Sequence, residues 1–139
     1  MNTKAIKIGL ASLGMIAFLS ACGKYEEGPG FTLLTKKARL TGEWDAKEYV
    51  DADGTVVADN DDATVEFVKD GTMIIRDGGT STEGTWEFVS DKEKLRTSYS
   101  YTILGVNQTY TGETTIIRLT NKELWTKDSD GDITKMEKK

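Results

Sequence analysis

Between residues 95 and 103 the chain alternates: Leu95, Tyr99, Tyr101 and Ile103 fall on one face, and Arg96, Ser98, Ser100 and Thr102 on the other. Successive side chains of an extended strand point to opposite sides, so this pattern predicts a half-buried strand. A helix would scatter the same residues round its whole circumference. Shorter runs of the same kind cover residues 42–51, 65–69, 72–76, 85–89, 109–111, 116–119, 124–126 and 133–136, with a poorer one at 55–57. Turn chemistry separates them. Asp70-Gly71 predicts a type I′ hairpin turn, and Asp77-Gly78-Gly79, Gly105-Val106-Asn107, Thr120-Asn121-Lys122 and the segment 128–132 close the others. The connections are too short for a crossover helix, so neighbouring strands must be antiparallel. Ahead of them, Leu33, Leu34, Lys37 and Leu40 sit at helical spacing and predict one or two turns of helix within 31–40. The expected fold is all-β, a small antiparallel up-and-down barrel of about eight strands, because closure removes exposed edges. A Greek-key sandwich is the alternative.

The first thirty residues follow a different pattern. Lys4 and Lys7 precede an uncharged, mostly apolar run over residues 8–21. That is shorter than the roughly 20 residues of a membrane-spanning helix and within the roughly 7–15 residues of a secretory signal. The run ends in Leu19-Ser20-Ala21-Cys22-Gly23, which resembles the lipobox of bacterial lipoproteins. The resemblance implies cleavage before Cys22, acylation of its thiol and a near-permanent membrane tether through the acyl chains. An ordinary secretory signal ending beside a cysteine is the competing reading. The expected organisation is a signal peptide over 1–21, a lipidated cysteine and flexible spacer over 22–30, and the barrel over 31–139. The spacer holds the chain's single proline, Pro29. No aspartate follows the cysteine, and Lys24, Glu26 and Glu27 are similar to the surface-export tag of Bacteroidetes lipoproteins; a plain hydrophilic linker reads the same way. The expected location is the outer membrane, lipid-anchored, with the cell surface implied by that tag.

Composition narrows the chemistry. Cys22 is the only cysteine, so no disulfide can brace the fold. The chain has no histidine, which excludes histidine-based zinc sites and imidazole-dependent dyads and triads. The net charge is −5, and loss of residues 1–21, with two lysines and no acid, takes it to −7. Nucleic acid is therefore not expected as a partner. Anionic headgroups would repel the chain too, which leaves the acyl chains as its expected membrane contact. Asp128-Ser129-Asp130-Gly131-Asp132 opens like a calcium loop, but an EF-hand needs Gly at its sixth position and Glu at its twelfth, where this chain has Ile133 and Lys139. That segment and the acidic stretches 51–54 and 59–62 read as solvated turns. No metal, cofactor or enzymatic activity is expected; a two-carboxylate hydrolase is the remaining catalytic option, and no pair stands out for it.

Gly42-Glu43-Trp44 is similar to the Gly-x-Trp signature of lipocalins, at the start of the first strand of a meander of matching length. Further stretches resemble the small lipocalin-like lipoproteins of Bacteroidetes: Glu27-Gly28-Pro29, Lys36-Lys37-Ala38-Arg39, Phe67-Val68-Lys69-Asp70-Gly71-Thr72, Gly84-Thr85-Trp86, and Ile116 to Leu119 continuing to Leu124. The resemblance implies that Trp44 plugs the closed end of a barrel, with Arg118 as candidate for a late arginine stacked on it. The chain lacks the Thr-Asp-Tyr motif and the disulfides of secreted animal lipocalins, which bears on the size of any ligand cup. Phe67, Trp86, Tyr99, Tyr101, Tyr110 and Trp125 are the candidate lining of a cavity for a small hydrophobic or amphipathic ligand. The other reading is plain core, which suits Trp44, Trp86 and Phe67 best, since a small barrel is filled by its own side chains. Two functions follow: ligand binding in the cell envelope, or an interaction module presenting barrel loops to an envelope protein or glycan.

Overall fold

The computed structural model describes residues 33–139. The signal segment, Cys22 and the spacer lie outside the described residues. Among the described residues one short helix, α1 (Lys36–Leu40), precedes nine strands: β1 (Gly42–Val50), β2 (Val56–Ala58), β3 (Thr64–Phe67), β4 (Thr72–Asp77), β5 (Thr80–Val89), β6 (Lys94–Ile103), β7 (Val106–Leu119), β8 (Glu123–Lys127) and β9 (Ile133–Lys138). All pairings are antiparallel. β2 and β3 lie end to end along one edge of β1, opposite Glu48–Val50 and Gly42–Asp45 respectively, and form one interrupted stave. The other edge of β1 pairs with β9, so the sheet closes into an eight-stave up-and-down barrel. The sandwich alternative is excluded by that pairing. Cylinder and core are both complete within residues 33–139, which makes this stretch a folding unit.

The inward face carries Trp44, Phe67, Met73, Trp86, Leu95, Ile116, Leu119, Leu124 and Met136, all buried in one cluster. The outward face is laced by cross-strand ion pairs such as Arg76–Glu66, Arg118–Glu123 and Lys135–Glu48. Two bulges break the period of two. One shifts the register between Ala46 and Glu48 in β1, the other between Ile116 and Arg118 in β7. An extra residue in one strand reverses which alternate side chains face inward beyond it. Ile116 and Leu119 therefore both reach the core, while Arg118 turns outward beside Trp125.

Three local expectations are corrected. The helix begins at Lys36, and of its anticipated apolar stripe only Leu40 is buried; Leu33 is 90% exposed and Leu34 is also exposed. Arg39 is buried instead and donates from Nη1 to the Leu119 carbonyl at 2.8 Å. At Asp70-Gly71 only Gly71 takes a positive φ, 98°, and Gly71 N–H donates to the Val68 carbonyl. This is a three-residue loop with a glycine bulge rather than a two-residue type I′ turn. Residues 106–119 form one long strand, turned at Leu104-Gly105 rather than at Gly105–Asn107.

Candidate functional site

One end of the barrel is sealed. Thr35 caps α1 by accepting from the Ala38 N–H, and the helix lays Leu40 across the barrel's base. Trp44, with no exposed surface, donates its indole N–H to the Leu40 carbonyl at 2.7 Å. The cation over its ring is Lys138, with Nζ 4.9 Å from the ring centre. The same ammonium donates to the carbonyls of Arg39 at 2.6 Å and Thr41 at 2.8 Å, and burial pushes its pKa down. Arg118, anticipated in that role, lies outside and stacks over Trp125 at 5.1 Å. Gly42 has φ 132° with the Lys138 side chain close against it, so its place in the Gly-x-Trp motif reflects backbone conformation and a close approach.

The opposite end is open. A cavity of about 220 Å³ opens there, lined by Ala46, Tyr49, Ala63, Val65, Ile75, Thr134 and Met136 and floored by Trp44. The β1 bulge turns Tyr49 towards it after Ala46, and small side chains at Ala46, Ala63 and Thr134 leave the space unfilled. The break between β2 and β3 sets Ala63 and Thr64 at its lip. The Tyr49 hydroxyl donates to an Asp59 carboxylate oxygen at 3.1 Å, and partial burial raises the phenol's pKa. The walls are almost wholly apolar. The site suits dispersion contact with a small apolar group and holds no pair of reactive side chains.

None of the six aromatic residues singled out by the sequence lines this cavity. Phe67 and Trp86 are core: their rings meet edge to face at 5.9 Å, and the Trp86 indole donates to the Val68 carbonyl at 2.8 Å. Tyr99 packs on the upper margin of the core. Tyr101 and Tyr110 stand above the rim, 40% and 50% exposed. Trp125 lies on the outer face between Arg118 and Lys135, with Nζ of Lys135 4.7 Å from the ring centre. Its neighbours Leu124 and Thr126 are buried, so the alternation sends Trp125 outward, away from the cavity. The cavity is lined instead by small residues at inward positions, Ala46 and Thr134, where a barrel interior normally carries bulk, a signal that only the strand register brings out.

The acidic turns use their carboxylates on their own backbones. Asp128 accepts from the N–H groups of Asp130 and Asp132, Asp53 from Thr55, Asp59 from Asp61 and Asp70 from Thr72.

No protein-family model and no curated protein sequence matches the chain. Solved structures that share its fold include two from Bacteroides. A lipocalin-like protein from Bacteroides uniformis ATCC 8492 is 18% identical with a TM-score of 0.53, over 73% of this chain and 99% of that one. An uncharacterized protein from Bacteroides eggerthii DSM 20697 is 14% identical with a TM-score of 0.57, over 72% of this chain and 99% of that one. The chain has the lipocalin-like barrel fold.

Proposed function

We propose that this protein is a lipid-anchored, non-enzymatic envelope protein whose barrel takes a small apolar or amphipathic ligand through its open end. The observation that carries the reading is the apolar mouth cavity over Trp44. Its volume, about 220 Å³, is below the roughly 300 Å³ at which pockets for drug-sized ligands begin. The ligand is accordingly a single ring or a short stretch of alkyl chain, its polar end left at the rim near Tyr49. Anchoring through Cys22 is supported by the lipobox-like sequence, and the outer membrane by the spacer that follows it.

Native mass spectrometry tests the ligand. Residues 23–139, secreted by the host and purified gently, are expected to carry a reproducible extra mass that denaturation removes. A bare polypeptide mass, unchanged after exposure to host lipid extract, overturns ligand binding. Metabolic labelling with an alkyne fatty acid tests the anchor: label is expected on the full chain and absent from Cys22→Ala.

A second reading, an interaction module, is favoured by one feature. The exposed aromatics Tyr101 and Tyr110 stand on strand ends that leave the barrel altogether.

A further inference from the structure

β6 and β7 outrun their neighbours. β5 follows β6 no further than Tyr99, and β8 meets β7 only from Thr115 onward. The ten-rung pairing between β6 and β7 continues to Ile103↔Val106, so a two-stranded ribbon projects from the open end. One face of it bears Tyr99, Tyr101, Ile103, Val106 and Tyr110, with Gln108 the one polar side chain among them, opposite Tyr101; the other bears Asn107 opposite Thr102 and hydroxyls paired as Ser98–Thr111 and Ser100–Thr109. Residues 97–112 contain no charged side chain, in a chain where 29% of residues are charged.

The apex is unusual. Leu104 is 98% exposed and holds φ at 50°, with Gly105 following at 79°. Asn or Gly would occupy that conformation readily, whereas a leucine there is strained. The strain brings no packing in return, since the side chain stands in water. An apolar residue held against local preference and without a partner in its own fold points to a contact outside it.

We infer that the ribbon docks on the surface of a zwitterionic lipid bilayer, with Ile103, Leu104 and Val106 entering the acyl boundary. The order of side chains along the ribbon selects this occupant. Aliphatic residues form the apex. Tyr101 follows three residues below Leu104, roughly 10 Å at the rise of a strand. Tyr99 and Tyr110 come next, their rings 5.3 Å apart, and the first charges are the Arg96–Glu113 and Arg96–Glu87 pairs at the base. Hydrocarbon, aromatic belt and charge follow the same depth order as a leaflet, and interfacial segments settle about 5–10 Å deep. A groove on a protein imposes no such order. The chain's negative charge calls for a neutral lipid surface and leaves the uncharged ribbon as the element able to approach it. Docking would place the mouth cavity at the bilayer surface, and in that respect deepens the ligand-binding reading. The proposed tether only brings a bilayer within reach.

The test uses residues 23–139 without Cys22 and sucrose-loaded phosphatidylcholine vesicles. Co-sedimentation is expected to rise with lipid, to be unaffected by salt, and to fall when phosphatidylglycerol replaces part of the phosphatidylcholine. Leu104→Asn keeps the turn and is expected to lower the partition coefficient about tenfold or more, with a melting temperature equal to or above the parent's. Ile103→Thr with Val106→Thr is expected to act in the same direction. Absence of phosphatidylcholine binding, or equal binding by Leu104→Asn, overturns the proposal. So does a concentration-dependent dimer, abolished by Leu104→Asn, in protein that ignores vesicles: the ribbon's occupant is then a second copy. Ligand binding is decided by the native mass, so the two readings fail independently.

Discussion

Lys138 holds the closed end by three interactions at once: two carbonyl acceptors at the end of α1 and the face of Trp44. Removing such a donor leaves its acceptors without a partner in a site that excludes much of the water, which costs more than the bond's net worth. Lys138→Met retains the aliphatic stem, and we expect it to destabilise the fold by about 1–3 kcal/mol in denaturant unfolding. Burial lowers the pKa of this lysine, so the charged form carries a desolvation penalty that the two carbonyls offset. A sequence pattern could show Trp44 as a plug but not the cation that would cover it. Arg118 was the nearest candidate in composition, and one bulged residue, Ile117, turned it to the opposite face. Bulges leave no alternation of their own to read, since the inserted residue looks like any other strand residue.

At the level of the strands, the close approach of β5 and β6 depends on Gly84. A Cβ built there would lie 2.3 Å from the Ser98 carbonyl oxygen and 2.8 Å from the Tyr99 Cβ, both fixed by the ladder. We expect Gly84→Ala to destabilise by at least about 1–3 kcal/mol, the usual range for overpacking, visible as an earlier thermal transition. The β3–β4 loop adds a pH dependence. The Thr72 backbone N–H donates to Asp70 at 2.8 Å and holds its carboxyl below the ordinary value of 3.8; Thr55 does the same for Asp53. A carboxyl with a lowered folded-state pKa binds fewer protons folded than unfolded between the two values. Its stabilisation is thus complete above the ordinary value and lost as pH falls through the folded one. Melting curves from pH 5 to 2 should show wild type losing stability more steeply below about pH 4 than Asp70→Asn, whose amide does not titrate. The strands themselves were legible, because alternation and turn residues agree in nearly every hairpin. The length of β7 was not. Residues 106–114 are polar on the hydroxyl face and carry exposed Val106, Gln108 and Tyr110 on the other, so no buried face marks them as strand; hydrogen bonding to β6 alone extends it.

For the molecule as a whole, the question is why the interior is full at one end and empty at the other. The large aromatics that the sequence offers as a cavity lining fill the core, project above it or lie outside. The space follows from what is missing: Ala46, Ala63 and Thr134 surround a position where a leucine or phenylalanine would complete the packing. Absence of bulk becomes legible only once register has put small residues of separate strands side by side. An interior lined this way gives up dispersion contacts that a filled barrel would have. The prediction is therefore two-sided. Ala46→Leu adds three carbons to a cavity of about 220 Å³ that has room for them. It should raise stability by about 0.5–2 kcal/mol, as cavity filling commonly does. In the same protein, the extra mass expected in native mass spectra should fall away, because the side chain occupies the ligand's place above Trp44. Higher stability with the ligand retained would put the binding site elsewhere on the barrel. Lower stability would show that the walls close over the mouth in solution and leave nothing to fill.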